Sequence, residues 1–339
     1  MYDKEMLKEI LEAYGPSGRE QEVSRVIRRY VQPLSDEVYT DALGNLIAVK
    51  KGSSGKKIML SAHMDQIGLV VVDIDEKGFL RVSNVGGVNP VIAVARPVRF
   101  ENGTRGVTYF ETKKHSVKDT VMQELFIDIG AESRQEAEAK VQIGDVAVYA
   151  AEFTEMGNRI SCGALDDRIA CAAVIEALRT MKSEHSIYAV FTVQEEVGLR
   201  GAGAAAYSIA PDLNISLDVT GTGDMPECSP MSVALGAGAA IKVMDSSVIV
   251  PPVVRDFLEE AAEEQGIAVQ REVLRGGGTD TGAVQRTAGG ILSGCISIPC
   301  RYIHSPVETA DLRDYRAAVQ LLCAAVAKAE LPDRHTQFQ

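Results

Sequence analysis

Apolar positions first recur at helical spacing, with Met6, Ile10, Leu11 and Tyr14 on one face of a helix. The break GPSGRE (15–20) follows, and Ser17 is placed to cap a second helix carrying Val23, Ile27 and Val31. Short strand-like runs come next, over 45–49 and 57–61, the second leading into AHMDQIG (62–68). From about 68 to 155 the texture changes. β-rich pieces such as GLVVVDI and FLRVSNV alternate with the turn signals GGVNP and ENGTRG, and one helix near 133–141 interrupts them. This stretch predicts a small β-barrel or sandwich.

After residue 160 helices alternate with apolar strands. Residues 166–182 read as a helix with Asp166 or Asp167 as its cap. The run IYAVFTV (187–193) is apolar throughout, as expected of a strand buried on both faces. The alternation continues through a strand at 213–219, a helix around 253–265, a strand over 289–299 and a last Ala-rich helix from 309 to 329. The pattern predicts an α/β fold, a helix-flanked mixed sheet interrupted by a small β-barrel insertion. The expected division joins 1–67 with 158–339 and sets 68–157 apart.

Composition narrows the function. The 339 residues are 46% hydrophobic and 24% charged, enough for a sizeable core. Thirty-five Lys and Arg against 47 Asp and Glu give a net charge of −12, the wrong sign for gripping nucleic-acid phosphates or an anionic membrane. Tryptophan is absent and aromatics are 5%, which argues against a base-stacking platform or a long sugar cleft. The opening MYDKEMLKEI has no apolar signal region, and no apolar run reaches the roughly 18 residues of a membrane span. Six scattered cysteines without a CxxC pair read as buried, reduced thiols. The expectation is a cytoplasmic protein without nucleic-acid or membrane partners.

Candidate chemistry sits where apolar strands end. His63 and Asp65 share a face of an extended chain, a spacing that suits an imidazole ligand and the carboxylate orienting it. Asp166 and Asp167 open a helix, so one can cap while the other reaches into a site. Glu195 and Glu196 follow the most apolar strand, at the end where open α/β sheets place ligands, and two adjacent carboxylates stay ionised there only if cations compensate them. Asp218 is a lone carboxylate in an apolar strand, and His304 lies just past another strand end. His115, His185 and His335 occupy polar contexts and read as solvated. The glycine-rich GTGD (221–224) and GGGTDTG (276–282) lack both the P-loop ending and the dinucleotide fingerprint, and no GxSxG elbow is present. Two histidines and several carboxylates without thiolate suit two divalent ions such as Zn²⁺, Co²⁺ or Mn²⁺ sharing a carboxylate bridge, with one Glu of the pair left free for proton transfer.

The segments AHMDQIG, GALDDR, VQEEVG, SLDVT, GGGTDTG and IPCRYIHSP stand in the order and rough spacing of the tetrahedral (TET-type) aminopeptidases of metallopeptidase family 42, which the chain resembles over about residues 3–330. GPSGRE, DALGNLIA, VGGVNP and DIGAESRQEAE resemble that family as well. The resemblance implies that His63, Asp218 and a bridging Asp166 hold one metal, and Asp166, Glu196 and His304 the other. It implies Glu195 as general base, Asp65 as the group orienting His63, and Gly278, Thr279 and Asp280 beside the substrate. It also implies that short peptides with a free N-terminus are the substrates, and that the insertion mediates dimers that build a tetrahedral dodecamer. Gln66 stands where relatives usually carry Glu, and Thr281 where Ala is common. The alternatives are another dinuclear amidohydrolase (a deacylase or carboxypeptidase-like enzyme) or an endoglucanase. The missing tryptophan disfavours the last.

Overall fold

The computed structural model describes residues 2–112 and 116–333; His115 and His335 lie outside them. Helix α1 (Lys4–Glu12) is capped by Asp3, whose side chain accepts from the Met6 amide at 3.1 Å. Helix α2 (Gln21–Val31) buries Val23, Ile27 and Val31 as the spacing predicts, but it starts after Glu20 and Ser17 does not cap it. The Ser17 hydroxyl donates instead to Asp65 Oδ2 at 2.6 Å, a long-range partner that local sequence does not disclose.

Strands β1 (Glu37–Thr40), β2 (Leu46–Lys50) and β3 (Lys57–His63) precede the insertion. The insertion consists of β4 (Gly68–Ile74), β5 (Leu80–Val85), α3 (Pro90–Ala93), β6 (Pro97–Phe100), β7 (Arg105–Phe110), β8 (Leu125–Asp128), α4 (Arg134–Glu138) and β9 (Val146–Tyr149). Its six strands close into a barrel in the order β4-β5-β8-β7-β6-β9, as the β-rich pattern predicts. In β7 exposed and buried residues alternate strictly, so Thr108 and Phe110 face a core shared with Leu69, Phe100, Leu125 and Ile127. The helix expected near 133–141 is the short α4, capped by Ser133.

The chain then returns through β10 (Thr154–Met156), β11 (Arg159–Cys162), α5 (Leu165–Thr180), β12 (Ser186–Thr192), α6 (Arg200–Ile209), β13 (Leu213–Thr220), β14 (Ala239–Met244), α7 (Pro252–Gln265), β15 (Val269–Val273), α8 (Asp280–Gln285), β16 (Leu292–Arg301), β17 (Glu308–Asp311) and α9 (Leu312–Ala327). One mixed sheet runs β1-β2-β12-β3-β13-β16-β17-β11-β10, with β14 and β15 attached beside β16. At its centre β12, β3, β13 and β16 are mutually parallel, with Thr192 opposite His63 and Asp218 opposite Ser297. Their carboxyl ends therefore share one edge, where such sheets collect ligands.

Several expectations change. Neither Asp166 nor Asp167 caps α5; both have non-helical backbone angles and no side-chain cap bond forms. Residues 309–311, read as helix, belong to β17, and α9 begins at Leu312 with Asp311 accepting from the Arg313 amide at 3.0 Å. His185 is buried rather than solvated, engaging Ser54 Oγ and the Lys328 carbonyl. Among the described residues no cysteines pair; four are buried, while Cys228 and Cys323 are half-buried. Among the described residues no helix is long and apolar enough to cross a membrane.

Candidate metal centre

His63 ends β3, Asp218 sits near the end of β13, Glu195 and Glu196 follow β12, His304 follows β16, and Asp166 lies at the start of α5. The sheet edge gathers all six. His63 Nε2 lies 3.0 Å from Asp166 Oδ1, 3.8 Å from Glu195 Oε2 and 4.0 Å from Asp218 Oδ1. His304 Nε2 lies 3.4 Å from Asp166 Oδ2 and 3.1 Å from Glu196 Oε2. Asp166 thus presents one carboxylate oxygen to each imidazole. Two three-residue groupings have donor atoms close enough to hold an ion, His63 with Glu195 and Asp218, and His63 with Asp166 and Glu196.

The turns that aim these side chains are built from strained backbone. Ala164, Gln194, Leu199, Tyr302 and His304 all have left-handed φ values between 55° and 63°, a conformation that costs energy outside glycine and collects at functional sites. Asp65 holds two of the turns together. His63 Nδ1 lies 3.1 Å from the Asp65 main-chain oxygen, which can only accept, so Nδ1 carries the proton and Nε2 is left as the ligand atom. The Asp65 carboxylate accepts from the amides of Glu195 (3.0 Å) and Glu196 (3.3 Å) and from Ser17 Oγ. Glu20 accepts from the Gln194 amide at 3.2 Å.

The electrostatics leave the cluster short of positive charge. Burial, with Asp218 and Asp280 close by, pushes the Glu195 carboxyl well up, and burial with Asp166 does the same to Asp218 and raises Glu196. Burial opposes protonation of His304, yet Asp166 and Glu196 outweigh it and push the imidazole up to about 12. Buried carboxylates that can ionise together only beside cations fit divalent metal, and imidazole with carboxylate donors suits Zn²⁺, Co²⁺ or Mn²⁺.

Of the positions expected beside the substrate, Gly278 lines the cavity at the cluster. Thr279 and Asp280 are buried next to it, Thr279 Oγ1 donating to Asp245 at 3.0 Å and Asp280 accepting from Thr192 Oγ1 at 2.6 Å. Sequence reasoning missed Glu308, whose buried carboxylate accepts from the amides of His304 (2.8 Å) and Asp166 (2.9 Å). It also missed the barrel loop at Gly86–Gly87, where an added Cβ on Gly87 would lie 2.5 Å from His304 Nδ1. The GG pair in VGGVNP is the one local signal of such an approach.

A mixed sheet flanked by helices carries, at the ends of its parallel strands, a His and carboxylate cluster able to hold metal ions. Residues 44–321 match the model of the M42 glutamyl aminopeptidase family, and the chain belongs to it as a peptide hydrolase. It is 50% identical over 327 residues to an Acetivibrio thermocellus protein with a provisional aminopeptidase name, covering 96% of this chain and 98% of that one. It is 38% identical to the lysyl aminopeptidase of Pyrococcus furiosus, over 98% of this chain and 99% of that one. Among solved structures, the Pyrococcus horikoshii TET1 peptidase, described as assembling into a tetrahedron or a large octahedral shell, superposes with a TM-score of 0.86 at 34% identity, covering 96% and 99% of the two chains.

Proposed function

We propose that the protein is an aminopeptidase holding two divalent ions and removing single residues from the free N-terminus of short peptides. His63, Asp166 and Asp218 would hold one ion and Asp166, Glu196 and His304 the other, with Zn²⁺, Co²⁺ or Mn²⁺ as the ions the donors suit. The observation that carries this reading is Asp166, one oxygen 3.0 Å from His63 Nε2 and the other 3.4 Å from His304 Nε2. When bound, the metals acidify a water and polarise the scissile carbonyl.

Glu195 is the proton carrier in this reading. Its carboxylate takes the proton of the attacking water and returns it to the departing amine, a shuttle favoured by a carboxyl pushed up by burial. Asp65 keeps His63 in the ligating tautomer through its main-chain oxygen and fixes the backbone of Glu195 through its carboxylate, so that ligand and base are set by one residue. The substrate's free α-amine, a cation, would be drawn to the acidic end of the cavity, which confines cleavage to the first peptide bond.

Residues 1–67 with 158–339 form the catalytic domain in this reading, and the barrel insertion at 68–157 supplies dimer contacts from which a dodecamer assembles in the cytoplasm. The test combines chelation with reconstitution. Activity on free-amine aminoacyl amides should vanish on exhaustive chelation, return with Zn²⁺, Co²⁺ or Mn²⁺ at two ions per chain, and be absent on N-blocked counterparts. Activity that survives chelation overturns the reading. Light scattering should give about 440 kDa for twelve 36.4 kDa chains.

A further inference from the structure

We infer that the site is built for an apolar N-terminal side chain of about leucine or methionine size, and against acidic or basic ones. This rests on the aminopeptidase reading and specifies its substrate class. The cavity at the cluster, about 510 Å³, is lined beyond the ligand acids by Leu199, Val219, Leu274, Ile303 and the glycines 276–278. A second cavity of about 420 Å³ adjoins it, sharing Gly221, Leu274, Gly276 and Ile303, and its further wall includes Met225, Met231, Val273 and Cys300. Together they have the size and the mainly apolar lining of a small-ligand site.

Charge decides what can enter. Besides the two histidines, the one cationic side chain among the described lining residues is Arg275, and it is exposed. Beyond the ligand cluster, whose carboxylates the proposed ions would compensate, an acidic side chain would leave water with no buried cation in the wall to receive it, at a cost in desolvation. A basic side chain would find carboxylates only in the ligand cluster. Of the two acids in the loop 221–231, Glu227 is exposed and Asp224 is occupied by Arg301, whose Nε lies 3.0 Å and Nη2 2.6 Å away. An apolar side chain forfeits no hydrogen bond, and flexible methionines adapt to its shape.

Gly276 gives a handle on this pocket. It lines both cavities, its φ lies outside the left-handed region, and a Cβ added there meets no heavy atom within 4 Å. A side chain at 276 therefore projects into open space and narrows the passage without straining the backbone.

The test uses the metal-loaded enzyme and p-nitroanilides of Leu, Met, Ala, Glu and Lys. The expected result is a kcat/KM for Leu and Met about 10- to 100-fold above Glu and Lys, with Gly276→Phe lowering the Leu-to-Ala ratio about tenfold. Glu or Lys turned over as fast as Leu overturns the inference while leaving the aminopeptidase reading intact. A Leu-to-Ala ratio unmoved by Gly276→Phe overturns the assignment of these cavities to the substrate side chain. Failure to cleave any of the five overturns the aminopeptidase reading itself.

Discussion

Glu195 and Glu196 are neighbours in the chain with opposite surroundings. Glu196 meets His304 at 3.1 Å, while Glu195 comes no closer than 3.8 Å to His63 Nε2 and has Asp65 anchoring its amide. The looser contact is what a base needs, because a carboxylate saturated by ligands cannot exchange protons. Glu195→Gln should lower kcat by about 10²- to 10⁴-fold while the protein still takes up two ions per chain, measured by elemental analysis after dialysis. Loss of one ion would make Glu195 a ligand instead of a base. The candidate ligands were legible only as a set and through the motifs shared with metallopeptidase family 42, because each alone has an ordinary structural explanation as a surface histidine, a helix cap or a strand end. Ser17, Glu20 and Glu308 were not, because each acts on backbone amides or a carboxylate brought close only by folding, Ser17 on a partner 48 residues away and Glu308 on one 142 away.

At the scale of elements, the end of α1 and the end of β3 are pinned by one side chain. Arg168, in the first turns of α5, is fully buried and donates to the carbonyls of Ile10, Leu11, Ala13, Gly15 and Met64. Burial pulls its guanidinium down to about 10, so it remains charged at neutral pH. The orphan carbonyls at a helix C-terminus favour a cation, and the planar five-donor fork serves several of them at once. Arg168→Met keeps the apolar stem but strips those carbonyls of their donor, and urea denaturation should show a loss of about 3 kcal/mol or more. An unchanged midpoint would mean that water replaces the guanidinium without cost. Sequence patterning found the long, strongly apolar strands and helices, and missed α6, β14 and β15. The α6 sequence RGAGAAAYSI offers almost no polar face to contrast with its small apolar one. Only one of the five β15 residues is buried, so its alternation is weak.

Across the whole molecule, the barrel is more than an appendage to the sheet. Its Gly86–Gly87 loop, between β5 and α3, lies against the site: a Cβ on Gly86 would meet Glu196 Cβ at 3.2 Å, and one on Gly87 would sit 2.5 Å from His304 Nδ1 and 2.6 Å from its Cε1. Both neighbours are the residues proposed to hold the second ion, so the barrel sets how far they can retreat. Gly86 also needs its glycine for a φ of 73°, whereas Gly87 lies outside the left-handed region and owes its lack of a side chain to the imidazole alone. Gly87→Ala should therefore leave the backbone of the barrel undisturbed and displace His304. Misplacement of a site group by about 1 Å costs on the order of 10²-fold in rate, so kcat/KM on a leucyl anilide should fall by that order. Elemental analysis should show fewer than two ions per chain, with an unaltered circular dichroism spectrum and assembly mass. Wild-type rate and metal content in this variant would mean that His304 has room to move, and that the barrel meets the site without constraining it.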